Sequence, residues 1–401
     1  GQVVFGINRQ TSGLKIISGK WTTLPNNNSV INLNHDNCHF RDFLADANNA
    51  GSAPSNRLNG VKVNNSIGFS IERVDAANAT GYCHFAIGVE GNPKTKGYYS
   101  DCKAWNGQVL FEQLACDIID LYSCEGFATS RTIEMLHPYS TNNKVTYTNC
   151  IARPTDGYQM TGGVGINIVT VGRSFGEINF INCDVLVNGG GSAVSINIEG
   201  GLTGKVNFVG GSYISKGGAS LVAGGNVTLG VYAGAYFEGL TGFNCPIPTT
   251  GAKTTIADSD IVNRRPIGSA AISYALITNN SDVTVSGGSV SALGGTYESA
   301  AILGNANVSD QTRIFPTIAG ETPSANKVKI LKEGIGTVAL VADGEGAGYA
   351  NIHVNWEDLA KFSIQFSVKA TNDAYPTQHA IHWVVVDVAT IRVKAIGLAA
   401  G

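Results

Sequence analysis

The sequence predicts an all-β protein: a right-handed parallel β-helix followed by a C-terminal antiparallel β-sandwich or jelly-roll-like domain. Glycine accounts for 50 of 401 residues and only 14% of the chain is charged, which is typical of a β-rich chain with many tight turns. A pair made of a small polar residue and Cys recurs at intervals of a few tens of residues, and such a period indicates a solenoid. The C-terminal part changes to longer alternating strands separated by turn sequences.

The polar-Cys pair indicates where each coil of the helix bends. The steps from Cys102 to the next three copies are 22, 26 and 33 residues, and a weaker copy adds 28 to Gly211. Apolar residues alternate before each pair, so we expect a strand that ends at a bend. The polar residue of the pair is expected to turn inward and to form hydrogen bonds with the backbone. The Cys beside it is expected to join a ladder of buried, reduced cysteines. The copies are Asn37-Cys38, Asp101-Cys102, Ser123-Cys124, Asn149-Cys150 and Asn182-Cys183.

Composition and strand pattern divide the chain into three parts. Residues 1–245 are predicted to form the β-helix that carries catalysis or receptor binding. Residues 246–326, rich in Gly, Ser, Asn and Thr, are predicted to be weaker coils or a linker. Residues 327–401 are predicted to form the C-terminal β-sandwich, because their strands lengthen and alternate clearly.

Composition excludes several classes of function. The formal net charge is −3, which gives no reason to expect a nucleic-acid partner, and no apolar run is long enough to span a bilayer. No CxxC pair or zinc-spaced Cys/His set is present, so neither a metal nor another cofactor is predicted. The chain begins with a strand-like segment rather than Met, so we interpret it as lacking an N-terminal part.

Three glutamates repeat at the same spacing as the coil. Glu90, Glu112 and Glu134 are separated by 22 and 22 residues, and each follows an apolar residue. If those apolar residues point inward, strand alternation sends the three carboxylates outward in one line on successive coils. Asn167, and then Asn197 or Glu199, are expected to continue the line.

A line of carboxylates suits glycoside hydrolysis. Like charges about 5 Å apart repel and raise the pKa of at least one member, which can then act as general acid. Neighbouring coils suit the carboxyl separation of about 5 to 5.5 Å that retaining enzymes use. Coils two steps apart suit the separation of about 6.5 to 9.5 Å that inverting enzymes use. The alternative is that these are solvated glutamates paired with Lys94, Lys96, Lys103 or Arg131.

Further polar and aromatic side chains are expected near the same face, where they could hold an extended glycan. The predicted substrate-binding residues are His84, Trp105, Arg131, His137, Tyr139 and Tyr158. Asp117 and Asp120 are alternative acids, one strand away from Glu112. Ordinary surface roles remain open for each of these residues.

The irregular Asn-Cys coils, the Gly/Asn/Ser richness and the compact C-terminal β-domain together resemble the tailspike depolymerases of bacteriophages, with a pectate-lyase-like right-handed β-helix. The resemblance implies a homotrimer attached to the virion tail or baseplate through a missing N-terminal domain. It implies cleavage of a bacterial capsule, exopolysaccharide or O-antigen at the cell surface. Acidic side chains usually form the active sites of the family, and Glu90, Glu112 and Glu134 match them here.

Three functions follow as alternatives. The first is an endo-glycosidase with Glu112 and Glu134 as acid and nucleophile or base, and with Glu90 in support. The second is a polysaccharide lyase of the same fold, in which His, Lys or Tyr abstracts a proton and Arg neutralises a uronate carboxylate. The third is a non-enzymatic receptor fibre or adhesin that only binds glycan. The C-terminal domain would serve trimerisation, capping of an open sheet edge or carbohydrate binding.

Overall fold

The computed structural model describes most of the first 315 residues and four strands beyond them. The described residues are 3–5, 12–15, 28–47, 58–88, 95–107, 109–128, 131–136, 143–154, 163–170, 172, 174–199, 201–245, 253–265, 274–279, 282–292, 300–315, 341–342, 347–353, 380–387 and 390–396. Every regular element among them is a β-strand. No helix in these ranges could cross a membrane.

Short strands follow one another along the described chain. In order they are β1 (Val3–Phe5), β2 (Gly13–Lys15), β3 (Asn28–Leu33), β4 (His39–Asp46), β5 (Leu58–Asn64), β6 (Ile67–Ala77), β7 (Tyr82–Ile87), β8 (Lys96–Ser100), β9 (Lys103–Trp105), β10 (Val109–Leu114), β11 (Ile118–Tyr122), β12 (Glu125–Ala128), β13 (Arg131–Leu136), β14 (Lys144–Thr148), β15 (Ile151–Pro154), β16 (Val164–Thr170), β17 (Glu177–Ile181), β18 (Asp184–Val187), β19 (Val194–Ile198), β20 (Thr203–Val209), β21 (Ser212–Ser215), β22 (Ala219–Gly224), β23 (Asn226–Tyr232), β24 (Tyr236–Gly239), β25 (Thr241–Asn244), β26 (Lys253–Ala257), β27 (Asp260–Asn263), β28 (Tyr274–Ile277), β29 (Asp282–Ser286), β30 (Ser289–Ala292), β31 (Ala300–Leu303), β32 (Asn307–Val308), β33 (Arg313–Phe315), β34 (Val341–Ala342), β35 (Ala347–His353), β36 (Ala380–Asp387) and β37 (Thr390–Ile396).

The strands up to Phe315 coil into a parallel β-solenoid, as the sequence predicts. Each typical coil contributes one strand to an 11-stranded parallel sheet, here called sheet 1, and two strands to a 22-stranded sheet, called sheet 2. Sheet 2 has two limbs that meet at a corner: the first limb includes β8, β11, β14, β17 and β20, and the second includes β9, β12, β15, β18 and β21. Strands β10, β11 and β12 therefore form one coil, and β13, β14 and β15 form the next. Strands β26 to β33 continue both limbs and sheet 1, so the coil extends through residues 253–315.

The polar-Cys pairs lie at the corner between the two limbs, but the polar residue does not point inward. Asp101, Ser123, Asn149 and Asn182 are exposed and have φ between 50° and 53°. This left-handed conformation turns the chain sharply, and short polar side chains adopt it more readily than other non-glycine residues. The prediction of an inward polar ladder is therefore wrong, because the corner needs the backbone conformation rather than a buried side chain.

The Cys of each pair does point inward. All eight cysteines are buried and free, as predicted. The backbone confirms that Cys102, Cys124, Cys150 and Cys183 occupy successive coils, because each carbonyl accepts a hydrogen bond from the residue that follows the next copy, at 2.8 to 2.9 Å. Burial raises the pKa of the Cys83 thiol to about 12, so this thiol is a packing group rather than a nucleophile.

Aromatic residues stack through the middle of the solenoid. Tyr147, Phe180 and Phe208 are register partners on β14, β17 and β20. Their ring centroids lie 4.9 Å and 5.3 Å apart with interplanar angles of 13° and 11°. This ladder is a consequence of the parallel register, which repeats each inward position from one coil to the next.

The C-terminal strands form a separate pattern. Strands β34, β35, β37 and β36 make one four-stranded antiparallel sheet in that order. Antiparallel strands in this part were predicted. The second sheet that a sandwich requires is not among the described residues, and the predicted strand KFSIQFSVKA (residues 361–370) lies outside them.

Candidate functional site

Glu112 and Glu134 lie side by side on the outer face of sheet 1. Parallel strands β10 and β13 pair Glu112 directly with Glu134, so their Cα atoms are one coil apart, about 4.8 Å. The flanking residues Phe111 and Ile133 are buried in the core, which confirms the inward positions that the spacing predicted. Glu112 therefore faces away from the core, and Glu134 is its register partner on the next coil.

The register extends this pair into a longer column, here called the glutamate column. Asn167 follows Glu134 on β16, as predicted, and Ser195 follows Asn167 on β19, where the sequence had suggested Asn197 or Glu199. On the other side Phe85 precedes Glu112, and Lys62 precedes Phe85. Its order along the axis is Lys62, Phe85, Glu112, Glu134, Asn167 and Ser195.

Most of the column that the structure describes is covered rather than open to water. Glu112 is 0% exposed, Phe85 is 4% and Asn167 is 9% exposed. Phe85 packs in a small outer apolar cluster with Tyr82, Ile87 and Leu114, separate from the main core. A substrate must therefore displace the groups that cover Glu112 before it can touch this carboxyl group.

Lys62 brings a positive charge to one end of the column. Its Nζ lies 5.8 Å from the centroid of the Phe85 ring, within cation–π range. Burial lowers the pKa of Lys62, because removal from water disfavours the charged ammonium. Sequence reasoning missed Lys62 and Phe85, since neither shares the 22-residue step; the unequal lengths of successive coils conceal their register.

The predicted partner of Glu112 on the preceding coil, Glu90, is not its register partner. It lies outside the described residues, and the register places Phe85 opposite Glu112. The reason is the longer connection 88–95 between β7 and β8, compared with 115–117 between β10 and β11. The 22-residue step from Glu90 to Glu112 is thus not one coil, and the predicted line of three carboxylates is wrong at this member.

His84 is a core residue rather than a substrate-binding one. It is 0% exposed, its ring stacks on Phe111 at 5.1 Å, and its Nε2 lies 3.4 Å from the carbonyl oxygen of Lys103. Burial lowers its pKa to about 4. The prediction that His84 lies on the outer face with the glutamates is wrong, because β7 directs it inward in register with Val61 and Phe111.

The buried His84 is expected to make stability depend on pH. Its pKa in the folded chain is about 4, below the unfolded value of about 6.5, so the unfolded state binds the extra proton between these values. The effect of His84 on the free energy of unfolding is then absent above about pH 6.5. Below that pH, this effect lowers the free energy of unfolding by up to about 1.4 kcal/mol per pH unit toward pH 4. Urea unfolding at several pH values should show this loss in wild type and a smaller one in His84→Phe. The exposed His35→Gln variant should behave as wild type, and equal slopes in all three would exclude His84 as the cause.

The remaining predicted residues divide into those on other faces and those without described side chains. Trp105 is half-buried on the second limb of sheet 2, paired with Phe127. Asp117 forms an ion pair with Lys96 at 2.8 Å, and Asp120 lies on the first limb. Arg131 begins β13, but its side chain and that of Glu134 are outside the described set, as are His137, Tyr139 and Tyr158 altogether.

The lysines proposed as alternative partners of the glutamates have other partners. Lys96 pairs with Asp117, and Lys103 pairs with Glu125 at 2.8 Å. Lys94 lies outside the described residues. Two of the four cations in that alternative are therefore engaged on sheet 2, away from the glutamate column.

Metal chemistry receives no support from the described side chains. No group of three or more His, Cys, Asp or Glu residues in this part of the chain is arranged to hold a metal ion. The chemistry that the column itself can offer is proton transfer and nucleophilic attack by carboxylates.

Comparison with known proteins adds no relative. No protein-family model matches the chain, and neither the curated proteins nor the solved structures contain a match to it.

Proposed function

We propose that the chain is a phage tailspike depolymerase that binds and hydrolyses a bacterial surface polysaccharide. The observation that carries the proposal is the direct pairing of Glu112 with Glu134 on adjacent parallel strands. One coil separates them by about 4.8 Å at Cα, near the carboxyl separation of about 5 to 5.5 Å that retaining glycosidases use. On the other side of Glu112 the register partner is Phe85 rather than a carboxylate, so the proposal rests on the pair from adjacent coils.

The two glutamates take different roles in this proposal. A general acid must carry a proton, and burial favours the neutral form of a carboxyl group. Glu112 is fully buried, so we assign it as the acid that protonates the glycosidic oxygen. Glu134 is then the nucleophile that attacks the anomeric carbon, and water later releases the sugar with Glu112 acting as base.

The wider setting is also a proposal. The chain acts as a homotrimer on the virion tail or baseplate, at the bacterial cell surface, and residues 327–401 serve trimerisation, capping or carbohydrate binding. Among the described residues, a continuous coil such as this one offers a long side surface along which an extended polymer can lie.

A lyase is the second candidate, and Lys62 favours it. The lowered pKa of this lysine favours the neutral amine, which is the form that accepts a proton from the substrate. It lies two coils from Glu112 with Phe85 between them. His84, by contrast, cannot serve as the base because it is enclosed in the core.

Incubation with a panel of purified capsular, exopolysaccharide and O-antigen polymers tests the proposal. Release of reducing ends without new ultraviolet absorbance is expected for the hydrolase. Reducing ends accompanied by ultraviolet absorbance from an unsaturated product would replace it with the lyase. Binding with unaltered polymer length would replace both with a receptor fibre.

A further inference from the structure

An open groove of about 580 Å³ lies on the coils that follow Glu134. Strand β13, which carries Glu134, leads through residues 137–142 to Asn143 and β14. The groove crosses the start of the first limb of sheet 2 on successive coils. Its lining residues are Asn143, Lys144, Phe175, Gly176, Glu177, Thr203, Gly204, Lys205 and Thr228.

Two lysines flank one glutamate in this groove. Lys144, Glu177 and Lys205 are register partners on β14, β17 and β20, and they face outward because Val145, Ile178 and Val206 are buried. The Nζ of Lys205 lies 3.5 Å from Glu177, whereas Lys144 is exposed and has no ion pair within the described residues. The groove thus carries one uncompensated positive charge.

A buried amide donor completes the set. Asn143 is 2% exposed, and its Oδ1 accepts the backbone N–H of Gly176 at 2.6 Å, which fixes the orientation of the amide. Its Nδ2 has no hydrogen-bond partner in the described structure. A buried donor left in this state is unfavourable, and an accepting ligand oxygen would satisfy it.

The floor of the groove is closely packed. The Phe175 ring lies across Gly204 so closely that a Cβ at that position would stand 2.1 Å from the ring. The backbone N–H of Glu177 donates to the carbonyl oxygen of Asn143 at 2.9 Å. This hydrogen bond fixes the backbone of Asn143 beside that of Glu177.

We propose that this groove binds an acidic saccharide unit of the polymer. Its carboxylate is held by the ammonium groups of Lys144 and Lys205 and by Nδ2 of Asn143, and its hydroxyl groups donate to the Glu177 carboxylate. The inference rests on the proposed function for the identity of the polymer, and it names the substrate as an acidic rather than a neutral polysaccharide. A single free lysine charge fits a uronate, with one carboxylate per sugar ring.

Ligand-observed saturation-transfer NMR with sodium D-glucuronate and D-glucose tests the proposal. The Glu112→Gln/Glu134→Gln double variant serves as the reference protein, so that binding is measured independently of cleavage. Glucuronate should give saturation transfer and glucose should give at least about fivefold less. Asn143→Asp keeps the acceptor for Gly176 and replaces only the donor by a charged oxygen, so it should lower the glucuronate signal at least about fivefold.

Two further variants keep the test decisive if Asn143→Asp folds poorly. Lys144→Gln changes an exposed side chain and should also weaken the glucuronate signal, whereas Lys253→Gln, an exposed lysine on the same limb outside the groove, should not. Equal signals for the two sugars, or an unchanged signal in Lys144→Gln, would overturn the proposal. Displacement of glucuronate by an equal concentration of sodium acetate would overturn it too, in favour of a general anion site. Lack of polymer cleavage would count against the hydrolase but leave this binding result intact.

Discussion

Replacing Glu134 by glutamine is expected to lower reducing-end release by about 10²–10⁴-fold, and Glu112→Gln by a similar factor. Glutamine keeps the size of the side chain but can neither attack the anomeric carbon as a carboxylate nor donate an acid proton. Both positions lie on the same outer column of sheet 1, paired strand to strand. Initial rates on a cleaved polymer from the panel measure the effect.

Asp120→Asn is the matched control for the glutamate variants. Asp120 is an acid on the neighbouring strand β11, on the first limb of sheet 2 rather than on sheet 1. Its amide variant should keep the wild-type rate, and circular dichroism should show the same fold in all three variants. Loss of activity in Asp120→Asn with normal rates in the glutamate variants would move the active site to sheet 2.

Phe180→Ala is expected to lower the free energy of unfolding by about 3–5 kcal/mol. Phe180 is fully buried and stacks between Tyr147 and Phe208. Truncation removes both ring contacts and leaves a cavity that β-strands on all sides cannot easily close. The midpoint of urea unfolding, followed by circular dichroism, measures the change.

Ile181→Ala provides the comparison for this stability prediction. Ile181 is the next residue on β17 and points outward, where it is only half-buried. Its loss of stability should be less than half that of Phe180→Ala, since fewer contacts disappear. Comparable losses at the two positions would contradict the expectation that the stacked ring of Phe180 contributes more to stability than an outward residue of the same strand.

The coil was predictable because each coil repeats the same inward positions. Cys102, Cys124 and Cys150 mark one corner, and their spacing reveals successive coils even though the connections differ in length. The side of the chain on which the polar partner lies was not predictable from this pattern, since Asn149 at φ 53° points out while its apolar neighbours alternate in the ordinary way. Local backbone conformation overrides strand alternation at the corner.

The candidate site was predictable only where a 22-residue step along the sequence equals the length of one coil. The 22-residue step from Glu112 to Glu134 corresponds to one coil. The same step from Glu90 does not, because the longer connection before β8 shifts the register. Lys62 and Asn143 gave no signal of their own in the sequence, since a lysine or an asparagine becomes distinctive only through burial and the absence of a partner.

The most direct test of the central claim is the configuration of the first sugar product. Two carboxylates one coil apart should act as acid and nucleophile. Proton NMR of the anomeric signals, recorded as cleavage begins and before mutarotation, should therefore show the anomer of the substrate retained. First appearance of the opposite anomer would contradict the account, because inversion requires carboxylates far enough apart to admit a water molecule.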